Sequence, residues 1–357
     1  MHGKIIRRLV SGVAAVAVGA TVWGGGVAGV TKAQAAEVDG PKVTWLVSLW
    51  GPRRGQTEGI ERMKELLAEK TGGNFVLDLK YGEVLSGPKE NLAGVQAGAF
   101  EMAMFCAAYD PTKVPAVSGL ELPFIPANAK SFQDRVALEE AYIHHPAVLA
   151  ELEKWNAYPV MMSTLPSWGL MGTGKPPKSL ADLKGRRIMA SPQESKIFTS
   201  FGAVTSSIPS VEYYQSMERG VIEAASIPWT YTFWTYRLAE LSNWWTTDLG
   251  KLTGRGTCPY VANKAAYDAL PQQYKDLIEA SKAEAYKWHE EAYKKIDEVN
   301  LKDAEKRGLV EAKLPQAEID ALSESLRDDI WGEWKKTATA AGLPAEDLAK
   351  VLMGQGM

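Results

Sequence analysis

The feature that most constrains this fold is a long helical segment near the C-terminal third of the chain. No glycine or proline lies between Pro271 and Gly308, and the segment is rich in alanine, glutamate and lysine. That composition predicts one helix of more than about 30 residues, whereas the mean helix of a globular protein has about 11–12 residues. Such a helix is too long for one small lobe, so we expect it to run along two lobes.

Strand and helix patterns alternate in the first part of the chain. Val43–Trp50 is β-branched and aromatic, and apolar residues alternate with others over 75–80, so both segments predict strands. Thr57 can cap a helix between them, and a second helix is expected from Pro88 to Gly98. Glu101–Cys106 predicts the next strand. This β-α-β-α-β order predicts an α/β sheet with helices on its faces.

A second set of elements begins near residue 158. Val160–Leu165 and Arg187–Ala190 predict strands, and Ser195–Phe201 predicts a short helix. Ser210 can cap the next helix, which Gly220 ends. A chain of 357 residues allows two domains, or two lobes of one domain.

The N-terminal segment predicts export. Residues 1–35 contain four basic and no acidic side chains, an apolar stretch from Leu9 to Val30, and then Ala33-Gln34-Ala35. These are the parts of a cleavable secretory signal. A membrane anchor is the alternative, since about 20 apolar residues can span a bilayer. The six glycines of the stretch and the cleavage site favour removal, which predicts a periplasmic protein of a Gram-negative bacterium.

Catalytic and metal-binding signatures are missing from the sequence. It has no Cys-x-x-Cys, His-Glu-x-x-His or Gly-x-Ser-x-Gly. His144 and His145 are adjacent residues that would point apart on a regular element, so we interpret them as surface residues. His289 lies among charged residues of the long helix, so we expect it to be solvated. The sequence therefore predicts neither an enzyme nor a metal site.

A phosphate-binding loop is the nearest match to a cofactor motif. Residues 169–175 fit Gly-x-x-x-x-Gly-Lys, but Pro176 and Pro177 follow where a hydroxyl and a helix are needed. The net charge of −3 provides no basic footprint for nucleic acid. We therefore expect no cofactor and no nucleic-acid partner.

Seven segments together carry a resemblance to one protein family. In chain order they are Glu69-Lys-Thr-Gly-Gly73, Tyr81-Gly-Glu-Val-Leu85, Val95-Gln-Ala-Gly98, Glu121-Leu-Pro-Phe124, Lys178-Ser-Leu-Ala-Asp-Leu-Lys-Gly185, Val211-Glu-Tyr-Tyr214 leading to Gly220-Val-Ile-Glu223, and Asn263 followed by Ala269-Leu-Pro271. They resemble the DctP-type solute-binding proteins of TRAP transporters, from about Val43 to Leu343.

The resemblance implies a two-lobed α/β periplasmic binding protein with a ligand cleft between the lobes and one long bracing helix. Lobe I would contain residues 36–166 plus about 256–298, and lobe II residues 167–255 plus about 299–357. Such a protein closes around a solute by hinge motion and delivers it to a sodium-driven membrane permease of two subunits. A sensor of the same fold that acts on a membrane kinase is the alternative. An exported enzyme on this scaffold is a third hypothesis, which the missing catalytic motifs disfavour.

The implied ligand site departs from the family pattern. Met189 takes the position of the arginine that usually binds the ligand carboxylate, and Arg187 falls two residues earlier, where the family has a lysine. The position of a second arginine falls near Gly169, and Ile227 replaces the expected polar residue. The ligand-binding residues expected from this alignment are Trp50, Cys106, Trp168, Gly169, Met189, Ile227 and Trp229.

The loss of that arginine leaves the ligand class open. A buried carboxylate needs a partner, and Arg53, Arg54 and Arg255 are candidate replacements, although each would more commonly be a solvated surface residue. An apolar cleft with tryptophans would also suit an aromatic solute or an amine. The expected ligand is therefore a small organic acid, aromatic compound or amine.

Cys106 and Cys258 are the two cysteines of the chain. Both lie in predicted strands, and export makes a bond between them possible. A buried thiol that fills space in the cleft is the simpler interpretation of Cys106. We therefore expect no disulfide that folding requires, and two free thiols.

Overall fold

The computed structural model describes residues 37–124, 131–253 and 256–355. The predicted signal at residues 1–35 lies outside the described residues. None of the described helices combines the length and the apolar character that crossing a membrane requires.

Two sheets organise the described chain. The strands are β1 (Val43–Ser48), β2 (Phe75–Lys80), β3 (Met102–Met104), β4 (Ala157–Met161), β5 (Trp168–Gly172), β6 (Arg187–Met189), β7 (Val204–Ser206), β8 (Ala224–Pro228), β9 (Trp244–Thr246), β10 (Tyr260–Asn263) and β11 (Val310–Glu311). The first sheet has the order β2-β1-β3-β10-β4 and the second β11-β9-β5-β8-β6-β7. Each sheet defines one lobe, so the two-lobed α/β prediction is confirmed.

Each sheet mixes parallel and antiparallel strands because the chain passes between the lobes. In the first sheet β1 is parallel to β2 and β3, whereas β10 is antiparallel to β3 and β4. In the second, β6 is parallel to β7 and β8, whereas β5 is antiparallel to β8 and β9. The chain enters the second sheet after β4, returns for β10 and enters the second sheet again at β11. Several crossings therefore join the lobes.

Helices cover the two sheets. They are α1 (Glu58–Lys70), α2 (Asn91–Ala97), α3 (Phe132–Ile143), α4 (Pro146–Lys154), α5 (Pro192–Ser200), α6 (Tyr213–Glu218), α7 (Tyr231–Thr235), α8 (Lys264–Asp268), α9 (Gln272–Arg307), α10 (Gln316–Ala340) and α11 (Ala345–Leu352). The predicted long helix is α9, whose 36 residues end at Gly308 with a φ of 70°. That left-handed conformation is the usual glycine stop of a helix.

Helix α9 contacts both lobes. Near its start Tyr274 stacks on Phe75 of β2, with ring centroids 5.1 Å apart. Near its end Asp297 accepts hydrogen bonds from the backbone N–H and the hydroxyl of Thr230, at 3.1 and 2.6 Å. Asp303 accepts one from the indole N–H of Trp234 in α7, at 2.8 Å. One rigid helix therefore braces both lobes, as its length predicts.

Several local predictions need correction. The strand expected at Val160–Leu165 is β4, which begins earlier, at Ala157, because it pairs with β10. The helix expected from Pro88 begins at Asn91. His289 is buried rather than solvated: its ring stacks on Tyr293 at 5.3 Å and lies 5.5 Å from Phe132 of α3. Burial lowers the pKa of His289 to about 3. The charged residues around it in the sequence occupy the outer face of α9.

The boundaries proposed for the two lobes stay a prediction. The placement of β10 in the first sheet and of β11 in the second follows the proposed order. The C-terminal helices contact both halves. Trp331 and Trp334 of α10 donate hydrogen bonds to the carbonyls of Pro123 and Pro115, while Glu318 accepts from the backbone N–H of Leu180.

Candidate functional site

A cavity lies between the two lobes and is lined by residues of both. It encloses about 660 Å³, including the part that opens to solvent. Trp50 follows β1, Cys106 follows β3, and Glu121 ends a short 3-10 helix, all on the side of the first lobe. Trp168 of β5 and Met189 of β6 contribute from the second lobe. Strand ends therefore deliver side chains from both sheets into one space, a common architecture for ligand sites.

Aromatic and aliphatic side chains dominate the cavity wall. Trp50 and Tyr109 meet edge to face, with ring centroids 5.7 Å apart. In the part of the wall that belongs to the second lobe, Tyr213 and Tyr236 also meet edge to face, with the same centroid distance of 5.7 Å. The aliphatic members are Leu165, Met189, Ile208 and Ile227. Flat rings of this kind favour stacking with an aromatic or other planar ligand.

Glu121 is the acidic side chain of the described cavity wall, and that part of the wall contains no lysine or arginine. Glu121 is 5% exposed. Burial raises the pKa of its carboxyl to about 8, with a smaller contribution from the negative charges of Glu194 and Glu139. A carboxyl with this pKa is mainly protonated at neutral pH, so it can donate a hydrogen bond as well as accept one.

Three polar atoms of the cavity residues lack a hydrogen-bond partner within the described part of the chain. They are Oε1 of Glu121, Nε1 of Trp168 and Oγ1 of Thr232, and each is buried. Buried polar atoms are normally paired. A ligand in the cavity is one partner that could satisfy them.

Cys106 and Cys258 are joined by a disulfide, with Cα atoms 4.4 Å apart. Cys106 follows β3 and Cys258 precedes β10, and these strands are antiparallel neighbours in the first sheet. That pairing brings the two side chains together, so the expectation of two free thiols is wrong. Both cysteines line the cavity, and the amide of Gln56 lies 3.4 Å from Sγ of Cys258.

The candidate arginines have different surroundings. Arg53 forms a two-point ion pair with Glu58, and its side chain is 52% exposed. Arg54 is fully buried and lies over the rings of Trp50 and Tyr236, 5.3 and 5.9 Å from their centroids. Neither arginine is part of the described cavity wall. Arg255 lies outside the described residues, although its neighbour Gly256 lines the cavity.

Arg54 instead supports the wall from behind. Its guanidinium donates to the carbonyl oxygens of Trp50 and Pro52, at 2.7 and 3.0 Å, and its Nε donates to Gln56 at 2.8 Å. Its contact with Tyr236 joins the first lobe to the second. Arg54 therefore fixes the loop that presents Trp50 to the cavity.

Five of the seven ligand-binding residues expected from the sequence line the cavity, namely Trp50, Cys106, Trp168, Met189 and Ile227. Gly169 and Trp229 lie together elsewhere: a Cβ on Gly169 would stand 2.7 Å from the Trp229 ring. Trp229 packs on Phe233 and Trp245, with centroids 5.5 and 4.6 Å apart.

Sequence reasoning did not select several cavity residues. Glu121 belongs to a segment that carries the family resemblance, but nothing in the sequence marks it as buried in a cavity. Tyr109, Ser210 and Tyr236 lie in short helices or turns without a periodic pattern. Tyr236 lies in the segment 229–245, which is rich in aromatic residues. That richness is the sequence signal that could have identified Tyr236 as a cavity residue.

A two-lobed mixed α/β architecture with a cavity between the lobes defines a binding protein. The profile of the DctP family, described as "Bacterial extracellular solute-binding protein, family 7", matches residues 46–337. The chain belongs to this family.

Known relatives agree with that assignment. A solute-binding protein of Albidiferax ferrireducens is 25% identical over 300 residues, which cover 80% of each chain. The TRAP solute-binding protein of Rhodoferax ferrireducens, solved with copurified benzoate, superposes with a TM-score of 0.76 at 17% identity over 88% of this chain and 97% of that one. A marine metagenome TRAP solute-binding protein in complex with metahydroxyphenylacetate gives 0.75, at 20% identity over 88% and 98%.

Proposed function

We propose that this protein is the periplasmic receptor of a TRAP transporter and that it captures a small aromatic organic acid in the cavity between its lobes. The observation that supports the ligand class most directly is the aromatic wall of the cavity. Trp50, Tyr109, Tyr213 and Tyr236 present flat apolar surfaces. The ligands bound by the two solved relatives, benzoate and metahydroxyphenylacetate, are likewise aromatic acids.

The residue at position 189 supports an aromatic ligand over a short dicarboxylate. Met189 is 3% exposed and lines the cavity where the family resemblance places a carboxylate-binding arginine. A thioether packs well against an aromatic ring, but it offers nothing to a second carboxylate. Succinate in this site would bury charge without a partner, which is unfavourable.

An aromatic acid still needs one cation for its carboxylate. Arg53 is paired with Glu58 at the surface. Arg54 lies outside the described cavity wall; its Nε and Nη1 are hydrogen-bonded, while its buried Nη2 has no partner among the described residues. Arg255 is the third candidate and directly precedes Gly256, which lines the cavity. We therefore propose Arg255 as the anion-binding residue.

The experiment is calorimetry with benzoate, phenylacetate, their hydroxylated derivatives and succinate. We expect micromolar or tighter binding of at least one aromatic acid and weak binding of succinate. Arg255→Gln should weaken the aromatic acid tenfold to a hundredfold, the usual effect of losing a charge-assisted hydrogen bond. Arg53→Gln is the matched control and should leave the affinity unchanged. Equal losses in both variants would contradict the assignment of Arg255.

Delivery to the permease is tested by transport. Membrane vesicles that contain the TRAP permease encoded with this protein should take up the labelled aromatic acid only when the purified receptor and an inward sodium gradient are both present. Uptake that is independent of the receptor would contradict the proposed function.

A further inference from the structure

Two of the partnerless polar atoms among the cavity residues belong to side chains from different lobes. Glu121 ends the 3-10 helix Val117–Glu121 on the side of the first lobe, and Trp168 begins β5 in the second sheet. Both line the cavity. Oε1 of Glu121 and Nε1 of Trp168 are buried and make no hydrogen bond to any part of the chain that the structure describes.

Gly256 locates the space between these two side chains. A Cβ at this position would stand 2.8 Å from Cζ2 of Trp168 and 3.0 Å from Oε2 of Glu121. Both groups therefore border the same small volume, which a side chain at position 256 would obstruct. The glycine leaves this volume free of a side chain, and Gly256 is itself a lining residue of the cavity.

The remaining surroundings of Glu121 do not supply a partner for Oε1. A backbone hydrogen bond from Ala108 reaches its carboxyl, and the acidic neighbours are Glu194 and Glu139. Glu139 accepts hydrogen bonds from Thr164 and Thr257, and Glu194 accepts from Ser191 and Ser226. These carboxyls thus have their own hydroxyl donors, whereas Oε1 of Glu121, a residue that lines the cavity, has none in the described residues.

We propose that Glu121 and Trp168 form a hydroxyl-binding subsite, so that the ligand is a hydroxylated aromatic acid. The ligand hydroxyl accepts a hydrogen bond from Nε1–H of Trp168 and donates one to Oε1 of Glu121. This inference rests on the proposed function, because it concerns the ligand of the same cavity. To the proposed function it adds the ligand hydroxyl as the group by which the receptor distinguishes one aromatic acid from another.

A hydroxyl fits this pair better than other polar groups. It can donate to Glu121 when the carboxyl is ionised and accept from it when the carboxyl is protonated. An ammonium cannot accept from the indole N–H of Trp168. A carboxylate could accept from Trp168 and from a protonated Glu121, but it would be repelled by an ionised Glu121. The hydroxyl alone among these groups satisfies both residues in either protonation state.

The test compares aromatic acids that differ by one hydroxyl. Calorimetry on the full-length mature protein would use benzoate with its 2-, 3- and 4-hydroxy derivatives, and phenylacetate with its 3-hydroxy derivative. We expect at least one hydroxylated compound to bind at least tenfold more tightly than its parent, because the parent leaves both polar groups buried without partners.

Two variants assign that preference to the subsite. Trp168→Phe keeps an aromatic ring and removes the N–H, and Glu121→Leu removes both carboxyl oxygens at similar volume. Each should reduce the preference for the hydroxylated compound to about twofold or less. Trp288→Phe, which removes an indole N–H on the exposed face of α9 and outside this cavity, is the matched control and should retain the preference. Melting curves establish that each variant is folded. If Glu121→Leu does not fold, Trp168→Phe alone tests the subsite.

The outcomes separate this inference from the proposed function. If no aromatic acid binds, the proposed ligand class is wrong and the subsite falls with it. If parent and hydroxylated compounds bind equally well, the receptor function stands and the subsite is refuted. If the preference exists but survives both Trp168→Phe and Glu121→Leu, the hydroxyl is recognised elsewhere and the subsite is likewise refuted.

Discussion

At the scale of single residues, Met189 is the position at which we propose that the cavity selects its solute. Its side chain is buried in the wall where a carboxylate anchor is expected from the family. We predict that Met189→Arg weakens binding of the best aromatic acid at least tenfold, because a long cation then occupies an apolar surface. Calorimetry on the variant, with Met189→Leu as the control of similar volume, measures this. Tight succinate binding by the unaltered protein would contradict the role given to Met189.

Glu121 should make the stability of the ligand-free protein depend on pH. Its folded pKa is about 8, whereas an unperturbed glutamate titrates near 4.5. The folded state therefore holds an extra proton between these values, so the free energy of unfolding falls as pH rises from about 4.5 to about 8. In Glu121→Gln the decrease in the free energy of unfolding over this pH range should be smaller, by a few kcal/mol at most.

Urea unfolding of both proteins at pH 5 and pH 8 measures that difference. Part of the slope should remain in the variant because burial also raises the pKa of Glu139, to about 7. Glu346→Gln, at an exposed position in α11, is the control and should retain the full slope. An unchanged slope in Glu121→Gln would show that this carboxyl is not held neutral in the fold.

At the scale of structural elements, the disulfide connects β3 to β10 at the cavity wall. We predict no free thiol in the denatured, unreduced protein. Reduction should lower the free energy of unfolding by roughly 2–5 kcal/mol, the usual effect of breaking a bond that closes a long loop. A thiol assay and urea unfolding with and without reductant test this. Two titratable thiols before reduction would contradict the bond.

Helix α9 should depend on its polar contacts with the second lobe. Asp297→Ala leaves the backbone N–H and hydroxyl of the fully buried Thr230 without their shared acceptor. We expect a loss of about 1–3 kcal/mol in the free energy of unfolding. Glu298 is the next residue along the chain and its side chain is exposed. Glu298→Ala is therefore the matched control and should change the free energy of unfolding little. Equal effects would mean that Asp297 contributes only helix propensity.

At the scale of the whole molecule, the architecture followed from the sequence more readily than the site did. The segment that lacks glycine and proline predicted both ends of α9 nearly to the residue. The β-α-β-α-β order predicted the first sheet. The disulfide was missed because adjacency of β3 and β10 is a long-range pairing. The burial of His289 was missed because local charge does not reveal which face of α9 meets α3. The same limit hid Glu121, whose surroundings come from distant segments.

The central claim is that an aromatic acid occupies the cavity between the lobes. A crystal structure of the protein with the tightest-binding aromatic acid tests it most directly. The account predicts a ligand ring in contact with Trp50 and Met189, with its hydroxyl within hydrogen-bonding distance of Glu121 and Trp168. A ligand bound outside this cavity, or one that contacts none of these four residues, would contradict it.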